Sequence, residues 1–255
     1  MTSLKIEEGD IPQLEGTVAI ISDLLAAFAT TGPPHIAVAN AGIDEDGTYM
    51  TDSYDDHGNL LEPSYKVIDV NLRGTLNFIK ISLHLMKKNA IAGSIVITSS
   101  ATAYLPEQTL PVYSGTKAAL INYMRAMRSL LRDSNITINA VVPAATITKL
   151  LPMDLAGPIL AAGLPVSTAE FVALAVAYSA VAQEPRKVQG YGKDECEWIQ
   201  RSGRWNGRTI LTLGHSFTEL EENLSDCRGL WFGHENLEKT KMQQAATDFR
   251  DVLRG

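Results

Sequence analysis

The residues best suited to chemistry are Tyr113 and Lys117, in the run VYSGTKAAL. A spacing of four places both side chains on one face of a helix, where they can interact. Free tyrosine has a pKa of about 10, and an ammonium group held beside its hydroxyl favours the phenolate. The pair can therefore give and take a proton near neutral pH, although for these two residues alone an ordinary surface pair is the alternative.

Other polar residues stand where buried runs end. Ser100 closes the apolar run GSIVITSS, and Asn71 lies inside the helical run VIDVNLRG, where a buried amide needs a partner. Open α/β sheets bind ligands at the carboxyl ends of their strands, so these positions predict one shared site. Two further strand ends contribute Asn40, Ala41 and Gly42 in ANAGI, and Pro143, Thr146 and Thr148 in VVPAATIT.

Short β-branched runs alternate with longer amphipathic stretches, a pattern typical of a parallel sheet with crossover helices. Apolar spacings of three and four predict helices over Leu14–Ala29, Ser64–Met86 and Tyr113–Leu131. The predicted strands are Leu4–Glu7, Ile36–Ala39, Ser94–Thr98, Ile136–Val142 and Thr209–Leu213.

The composition indicates one globular α/β domain. Of 255 residues, 45% are apolar, and 29 acids against 22 bases give a net charge of −7, which argues against a nucleic-acid surface. Two cysteines without a CxxC pair support neither a disulfide framework nor a zinc site. The acidic run Asp52, Asp55, Asp56 and His57 lacks calcium-loop spacing, so we predict no metal site. No signal peptide or membrane segment is apparent, and we expect a cytoplasmic protein.

Taken together, the runs around Asn71, Ser100, Tyr113 and Lys117 resemble the short-chain dehydrogenase/reductase family, from residue 4 to at least residue 213. The resemblance implies a Rossmann-like, doubly wound parallel sheet. It implies that Tyr113 is the general acid or base and that Ser100 hydrogen-bonds the substrate oxygen. Lys117 would hold the nicotinamide ribose and lower the tyrosine pKa, and Asn71 would anchor a water in a proton relay.

The resemblance also implies a nicotinamide cofactor, NADP or NAD, with NADP favoured. Asp10 matches the acidic residue that bonds the adenine amine, and Asn40, Ala41 and Gly42 match the loop beside the adenosine ribose. Tyr113 and Lys117 belong to the cofactor contacts as well. Pro143, Thr146 and Thr148 match the segment that touches the carboxamide and phosphate regions.

The start of the chain departs from this family. The family opens with a strand and a glycine-rich turn that seats the pyrophosphate on a helix N-terminus. The first forty residues here contain only Gly9, Gly16 and Gly32. The run LKIEEGDI resembles the family's third strand, so we expect a sheet that lacks the usual first two strands and that turn. Leu4–Glu7 would then either pair beside Ile36–Ala39 or leave an open sheet edge.

We assign residues 1–148 to the nucleotide-binding and catalytic core, 149–208 to the substrate lid and loops, and 209–255 to the last strand and tail. The main hypothesis is an NAD(P)-dependent oxidoreductase that interconverts a ketone and a secondary alcohol on a small, fairly apolar molecule. The C-terminal runs NGRTILTLG and LWFG resemble fungal members that serve in natural-product biosynthesis. The predicted lid comprises residues 149–170 and 186–207.

Because the phosphate turn is missing, two other hypotheses stay open. One is a cofactor-free isomerase or cyclase, or a non-catalytic subunit. The other is that the chain is an N-terminally truncated reading of a longer protein. We expect a small-molecule substrate and no nucleic-acid or membrane partner. The resemblance implies a homodimer or homotetramer that packs Ser64–Met86 and Tyr113–Leu131 against their symmetry mates.

Overall fold

A seven-stranded, mostly parallel sheet organises the described part of this computed structural model, which comprises residues 2–12, 17, 19–21, 32–131 and 133–250. The strand order is β1-β9-β8-β5-β4-β3-β2. Neighbours from β2 to β8 run parallel, whereas β9 and β1 add an antiparallel edge. The strands are β1 Thr2–Leu4, β2 Ala19–Ile21, β3 Ile36–Ala39, β4 Ser94–Thr98, β5 Thr137–Pro143, β8 Thr209–Leu213 and β9 Ser216–Glu219, with a separate pair β6 Gln183–Glu184 and β7 Gly203–Arg204.

Helices cover both faces of the sheet. The predicted helix over Ser64–Met86 is a continuous run in which a π-helical turn, Asp69–Gly74, joins two α-helical segments. The α-helices are α1 Lys66–Ile68, α2 Thr75–Lys88, α3 Pro111–Leu130, α4 Met153–Ala161, α5 Ala169–Val181, α6 Cys196–Ile199, α7 Glu221–Asp226, α8 Arg228–Phe232 and α9 His234–Ala246. None of the described helices is long and apolar enough to cross a membrane.

The two-sided core explains why the central strands are almost uninterrupted apolar runs. Successive residues of β4 face opposite layers: Ile95 and Ile97 pack with α2 and α3, whereas Val96 packs with α5. Strands covered on both faces need apolar residues at every position. The predicted Rossmann-like α/β fold is therefore confirmed, and the bounds of β3, β4 and β8 are as predicted.

The first strand of the chain lies elsewhere than predicted. Thr2–Leu4 pairs antiparallel with β9, at the opposite edge from β3. The neighbour of β3 is Ala19–Ile21, in parallel register with Ile36–Val38. In the order 3-2-1-4-5-6 this is the place of the first strand, so Ala19–Ile21 fills the position beside β3 that the sequence left open.

The helix predicted over Leu14–Ala29 is wrong at Ala19–Ile21, which is a strand. Its other residues, apart from residue 17, lie outside the described residues. The run Val18–Ile21 is uniformly apolar, and such a short run fits a strand and a helix equally well. The two ranges of the predicted lid contain helices: α4 lies within 149–170, and α6 lies within 186–207.

Candidate active site

The carboxyl ends of β3, β4 and β5 converge with the start of α3. Ser100 lies two residues after the end of β4, and Tyr113 and Lys117 lie in the first two turns of α3. The hydroxyl of Ser99 donates to the main-chain oxygen of Lys117 at 2.8 Å, which ties the helix to the end of β4. The fold therefore brings together three predicted residues that come from two separate elements.

Tyr113, Ser100 and Lys117 form one buried group, with side chains 8% exposed or less. Ser100 is close enough to the Tyr113 hydroxyl to act on it, and its effect is to lower the pKa of that phenol. The ammonium nitrogen of Lys117 lies 5.4 Å from the centre of the Tyr113 ring and donates to Thr98 O at 3.2 Å. The spacing of four has thus placed both side chains on one helix face, as the sequence predicts.

Asn71 is fully buried and holds the loop after β3. Its Nδ2 donates to Ile43 O at 2.9 Å, and Ile43 N–H donates to Asn71 Oδ1 at 2.8 Å. The π-helical turn around Asn71 adds a residue to the helix, and turns of this kind are frequent at functional sites. The buried amide that stood out in the sequence is therefore a clamp between this helix and the end of β3.

Burial sets the protonation of the pair. The pKa of Tyr113 is raised, because burial and the negative charge of Asp44 outweigh the hydrogen bond with Ser100. Burial lowers the pKa of Lys117 to about 8. The groups that set this pKa beside burial are Ser100 and Asp44, so the expectation that Lys117 lowers the tyrosine pKa stays a prediction. At neutral pH the site holds a neutral phenol beside an ammonium.

The end of β3 fits the nicotinamide and ribose end of a dinucleotide. A Cβ placed on Gly42 would lie 3.3 Å from Lys117 Nζ and 3.4 Å from Asn71 Oδ1, so the glycine backbone lies close to both side chains. Thr98 Oγ1 donates to Asn40 Oδ1 at 2.8 Å and fixes the amide beside exposed Ala41. An ammonium can donate three hydrogen bonds, and Lys117 Nζ still has capacity for hydroxyl groups.

The segment after β5 begins at the same sheet edge. Pro143 is the last residue of β5, and Thr146 forms a parallel bridge with Ser167. The Thr146 hydroxyl donates to Ala144 O at 2.9 Å, whereas Thr148 accepts from the main-chain N–H groups of residues 150 and 151. Both threonines therefore support local turns at this edge.

Asp10 is not brought to this edge. Its carboxylate accepts the Glu7 N–H at 2.8 Å, and its charge acts on Tyr178, near the C-terminal end of α5. The Tyr178 ring packs edge-on against Trp205, which precedes β8. These contacts do not bring Asp10 to Ser100, Tyr113 or Lys117, and its contact with an adenine amine stays a prediction.

The sequence that follows β2 lacks the glycine-rich turn that seats a pyrophosphate in this family. Between Ile21 and Ile36 the sequence contains one glycine, Gly32. The predicted absence of the glycine-rich turn thus stands as a fact of the sequence. The residues present fit the nicotinamide and its ribose, and they do not supply the usual seat for the pyrophosphate.

The predicted lid is only partly at the site. Residues 149–170 follow the carboxyl end of β5 and expose Leu150, Met153 and Leu155. The stretch 186–207 lies at the other end of the sheet, where Arg204 donates to Gly93 O and Ser94 Oγ at the start of β4. The prediction that 186–207 forms part of the substrate lid is therefore wrong. The sequence of a charged and aromatic loop does not show at which end of the sheet the loop lies.

A cavity of about 240 Å³ opens beside the start of α3. Its lining includes Ile43, Asp44, Glu45, Tyr49 and Val112. Neither Asp44 nor Glu45 is among the site residues that the sequence analysis predicts. Asp44 acts on Tyr113 through its charge, and Glu45 accepts a main-chain hydrogen bond from Tyr113. Asp44 and Glu45 directly follow ANAGI, where a predicted strand ends, and this position is the sequence feature that could have identified them as site residues.

Comparison with known proteins agrees with this geometry. The family model for short chain dehydrogenase matches residues 3–154. Short-chain dehydrogenase/reductase prx4 of Penicillium roqueforti is 47% identical over 299 aligned positions, covering 98% of this chain and 90% of prx4. Short-chain dehydrogenase/reductase ATR7 of Stachybotrys chlorohalonatus is 50% identical over 230 residues, covering 90% of this chain and 72% of ATR7. The crystal structure of gox2181 matches 60% of each chain with a TM-score of 0.48 and 22% identity.

The alignment with prx4 is longer than this chain. It spans 299 positions, against 255 residues here, so prx4 carries aligned-region residues that have no counterpart in this sequence.

Proposed function

Because the chain belongs to the short-chain dehydrogenase/reductase family of oxidoreductases, we propose that it interconverts a ketone and a secondary alcohol with NADP or NAD. The substrate in this proposal is a small, fairly apolar molecule. The observation that carries the proposal is the buried group of Ser100, Tyr113 and Lys117 at the carboxyl end of β4. A sheet of this kind binds its ligands at that edge.

The proposal gives each side chain a separate task. A bound nicotinamide supplies or accepts the hydride. Tyr113 gives its proton to the substrate oxygen in reduction and takes it back in oxidation. Ser100 hydrogen-bonds the same oxygen, where charge develops. Lys117 holds the ribose hydroxyls, and Asn71 keeps the loop after β3 in place and, by the resemblance, anchors a relay water.

The electrostatics of the site favour its use in reduction. A phenol whose pKa is raised stays protonated at neutral pH and is ready to donate. The ammonium of Lys117 carries the positive charge that offsets the negative charge growing on the substrate oxygen. We therefore propose that the enzyme acts as a ketone reductase at neutral pH.

The remaining cofactor contacts in the proposal come from Asn40, Ala41 and Gly42 and from the segment with Pro143, Thr146 and Thr148. The C-terminal resemblance favours a place in fungal secondary-metabolite biosynthesis, and the family resemblance favours a homodimer or homotetramer. The cofactor-free and non-catalytic alternatives lose support, because prx4 and ATR7 are both named as short-chain dehydrogenase/reductases.

Nucleotide binding is the first test. Purified protein is titrated with NADPH and with NADH, following energy transfer from its three tryptophans and protection against heat. Saturable binding with a rise in the unfolding temperature supports the proposal. A folded protein that binds neither nucleotide contradicts it.

Turnover is tested next with a panel of cyclic and linear ketones, following the absorbance of the reduced nicotinamide. Tyr113→Phe should lower kcat on the order of 10³-fold and leave nucleotide binding within about twofold. Tyr54→Phe is the matched control, because Tyr54 is exposed on a loop. Equal activity of Tyr113→Phe and the wild type would show that the phenol does not transfer the proton.

A further inference from the structure

The start of α3 lacks a local cap. Leu110 occupies the N-cap position, and a leucine side chain has no acceptor for the free N–H groups of a first turn. Pro111 removes one of these donors, and Ser114 N–H bonds to Leu110 O. The Tyr113 N–H is satisfied by Glu45, whose Oε2 accepts it at 2.9 Å from 68 residues away.

Glu45 is itself held in place. It lies two residues after Ile43, which is hydrogen-bonded twice to the buried Asn71 side chain. The carboxylate thus joins the end of β3 to the first turn of α3, the turn that carries Tyr113. Its other oxygen, Oε1, is buried and makes no hydrogen bond within the described residues. An unsatisfied buried oxygen costs stability, so the pairing with Tyr113 is not explained by stability alone.

We propose that Glu45 is a positioning residue that sets the place of Tyr113 through the Tyr113 main-chain N–H. This inference rests on the proposed function of Tyr113. Helix ends without a cap fray, and fraying of this first turn would carry the phenol away from Ser100. The length of the Glu45 side chain therefore sets the position of Tyr113, and the charge of Glu45 is secondary.

Two conservative variants separate reach from charge. Glu45→Gln keeps an oxygen acceptor at the same distance and loses the charge. Glu45→Asp keeps the charge and falls one methylene short of the Tyr113 N–H. Glu62→Asp is the matched control, since Glu62 is an exposed acid of the same loop.

Two readouts are needed for each variant, together with circular dichroism melts to verify folding. The first is kcat and KM with a ketone from the panel. Glu45→Asp should lower kcat by about 10- to 100-fold with little change in KM, because a small misplacement of a reacting group has that effect. Glu45→Gln should stay within about threefold of the wild type, and Glu62→Asp should be unchanged.

The second readout is the tyrosinate absorbance of the ligand-free protein, taken as the difference from a Tyr113→Phe background. The hydrogen bond with Ser100 lowers the pKa of Tyr113, so its loss in Glu45→Asp should move this titration to higher pH. Glu45→Gln should not move it upward. The charges that also act near this phenol, Asp44 and Lys117, are the same in both variants.

The inference is overturned if Glu45→Asp matches the wild type in both readouts, or if Glu45→Gln is damaged as severely as Glu45→Asp. The two proposals can fail separately. A wild-type protein that reduces no ketone of the panel argues against the proposed function, whereas the tyrosinate titration of the Asp and Gln variants still decides the role of Glu45.

Discussion

Replacing Lys117 with methionine should stabilise the protein while it removes activity. The Lys117 side chain is 4% exposed, and burial lowers its pKa from 10.5 to about 8. Each pKa unit corresponds to about 1.4 kcal/mol, so keeping the ammonium charged in the folded protein at pH 7 costs about 3 kcal/mol. Methionine has a similar length and no charge to desolvate.

The substitution also has a cost. The ammonium donates to Thr98 O at 3.2 Å, and loss of that hydrogen bond takes back about 1 kcal/mol. We therefore expect Lys117→Met to raise the free energy of unfolding by about 1–2 kcal/mol at pH 7, which for a chain of this size is a rise in Tm of about 3–6 °C. Turnover should fall, because the proposed ribose contact and the positive charge are gone.

The pH dependence of the stability difference between Lys117→Met and the wild type tests whether the buried charge of Lys117 is its cause. The folded pKa of Lys117 lies below its unfolded value, so between about pH 8 and 10.5 the unfolded chain holds a proton that the folded chain has released. The stability of the wild type therefore gains from this group as pH rises through that window. Lys117→Met lacks this gain, and its advantage should be greatest below pH 8 and disappear towards pH 10.5.

The assay is urea unfolding followed by circular dichroism across pH 7 to 10, with Lys80→Met as the control because Lys80 is exposed on α2. A Lys117→Met protein that is less stable than the wild type at pH 7 would refute the reasoning. So would a stability difference that stays constant across the pH window.

Three further substitutions test the site and its support. Ser100→Ala removes the hydrogen bond that lowers the pKa of Tyr113, so the phenol should titrate at higher pH and kcat should fall on the order of 10²-fold, measured by tyrosinate absorbance and steady-state kinetics. Asn71→Leu leaves both main-chain groups of Ile43 without their partner and should cost about 2–4 kcal/mol in urea unfolding. Glu221→Gln leaves the guanidinium groups of α3 without their buried counter-charge and should cost about 3 kcal/mol in the same assay.

The parts of the fold and site that the sequence predicts are those set by local pattern and by topology. Continuous apolar runs predict β3, β4 and β8, since a strand covered on both faces requires them. The spacing of Tyr113 and Lys117 predicts their common helix face. Parallel strands share a carboxyl edge, and this rule alone brings Ser100 to the pair across thirteen residues of chain.

The parts that the sequence does not predict depend on distant partners. Ala19–Ile21 is too short for its periodicity to decide between helix and strand, and its pairing with β3 decides it. Glu45 lies in an acidic loop that reads as solvated surface, and its role depends on a donor far along the chain. The direction of the Tyr113 pKa also depends on depth of burial, which the spacing of two residues does not encode.

Several energetically unfavourable features lie where we propose the chemistry. Lys117 is charged in a buried place, the raised pKa of Tyr113 makes its phenolate costly to form, and Glu45 Oε1 is buried without a partner. Elsewhere, buried charges are paired, as Glu184 is with Arg208. If these costs served only the fold, apolar replacements at the site would be free of consequence. If they serve the proposed reaction instead, substitutions that stabilise the protein there should remove activity.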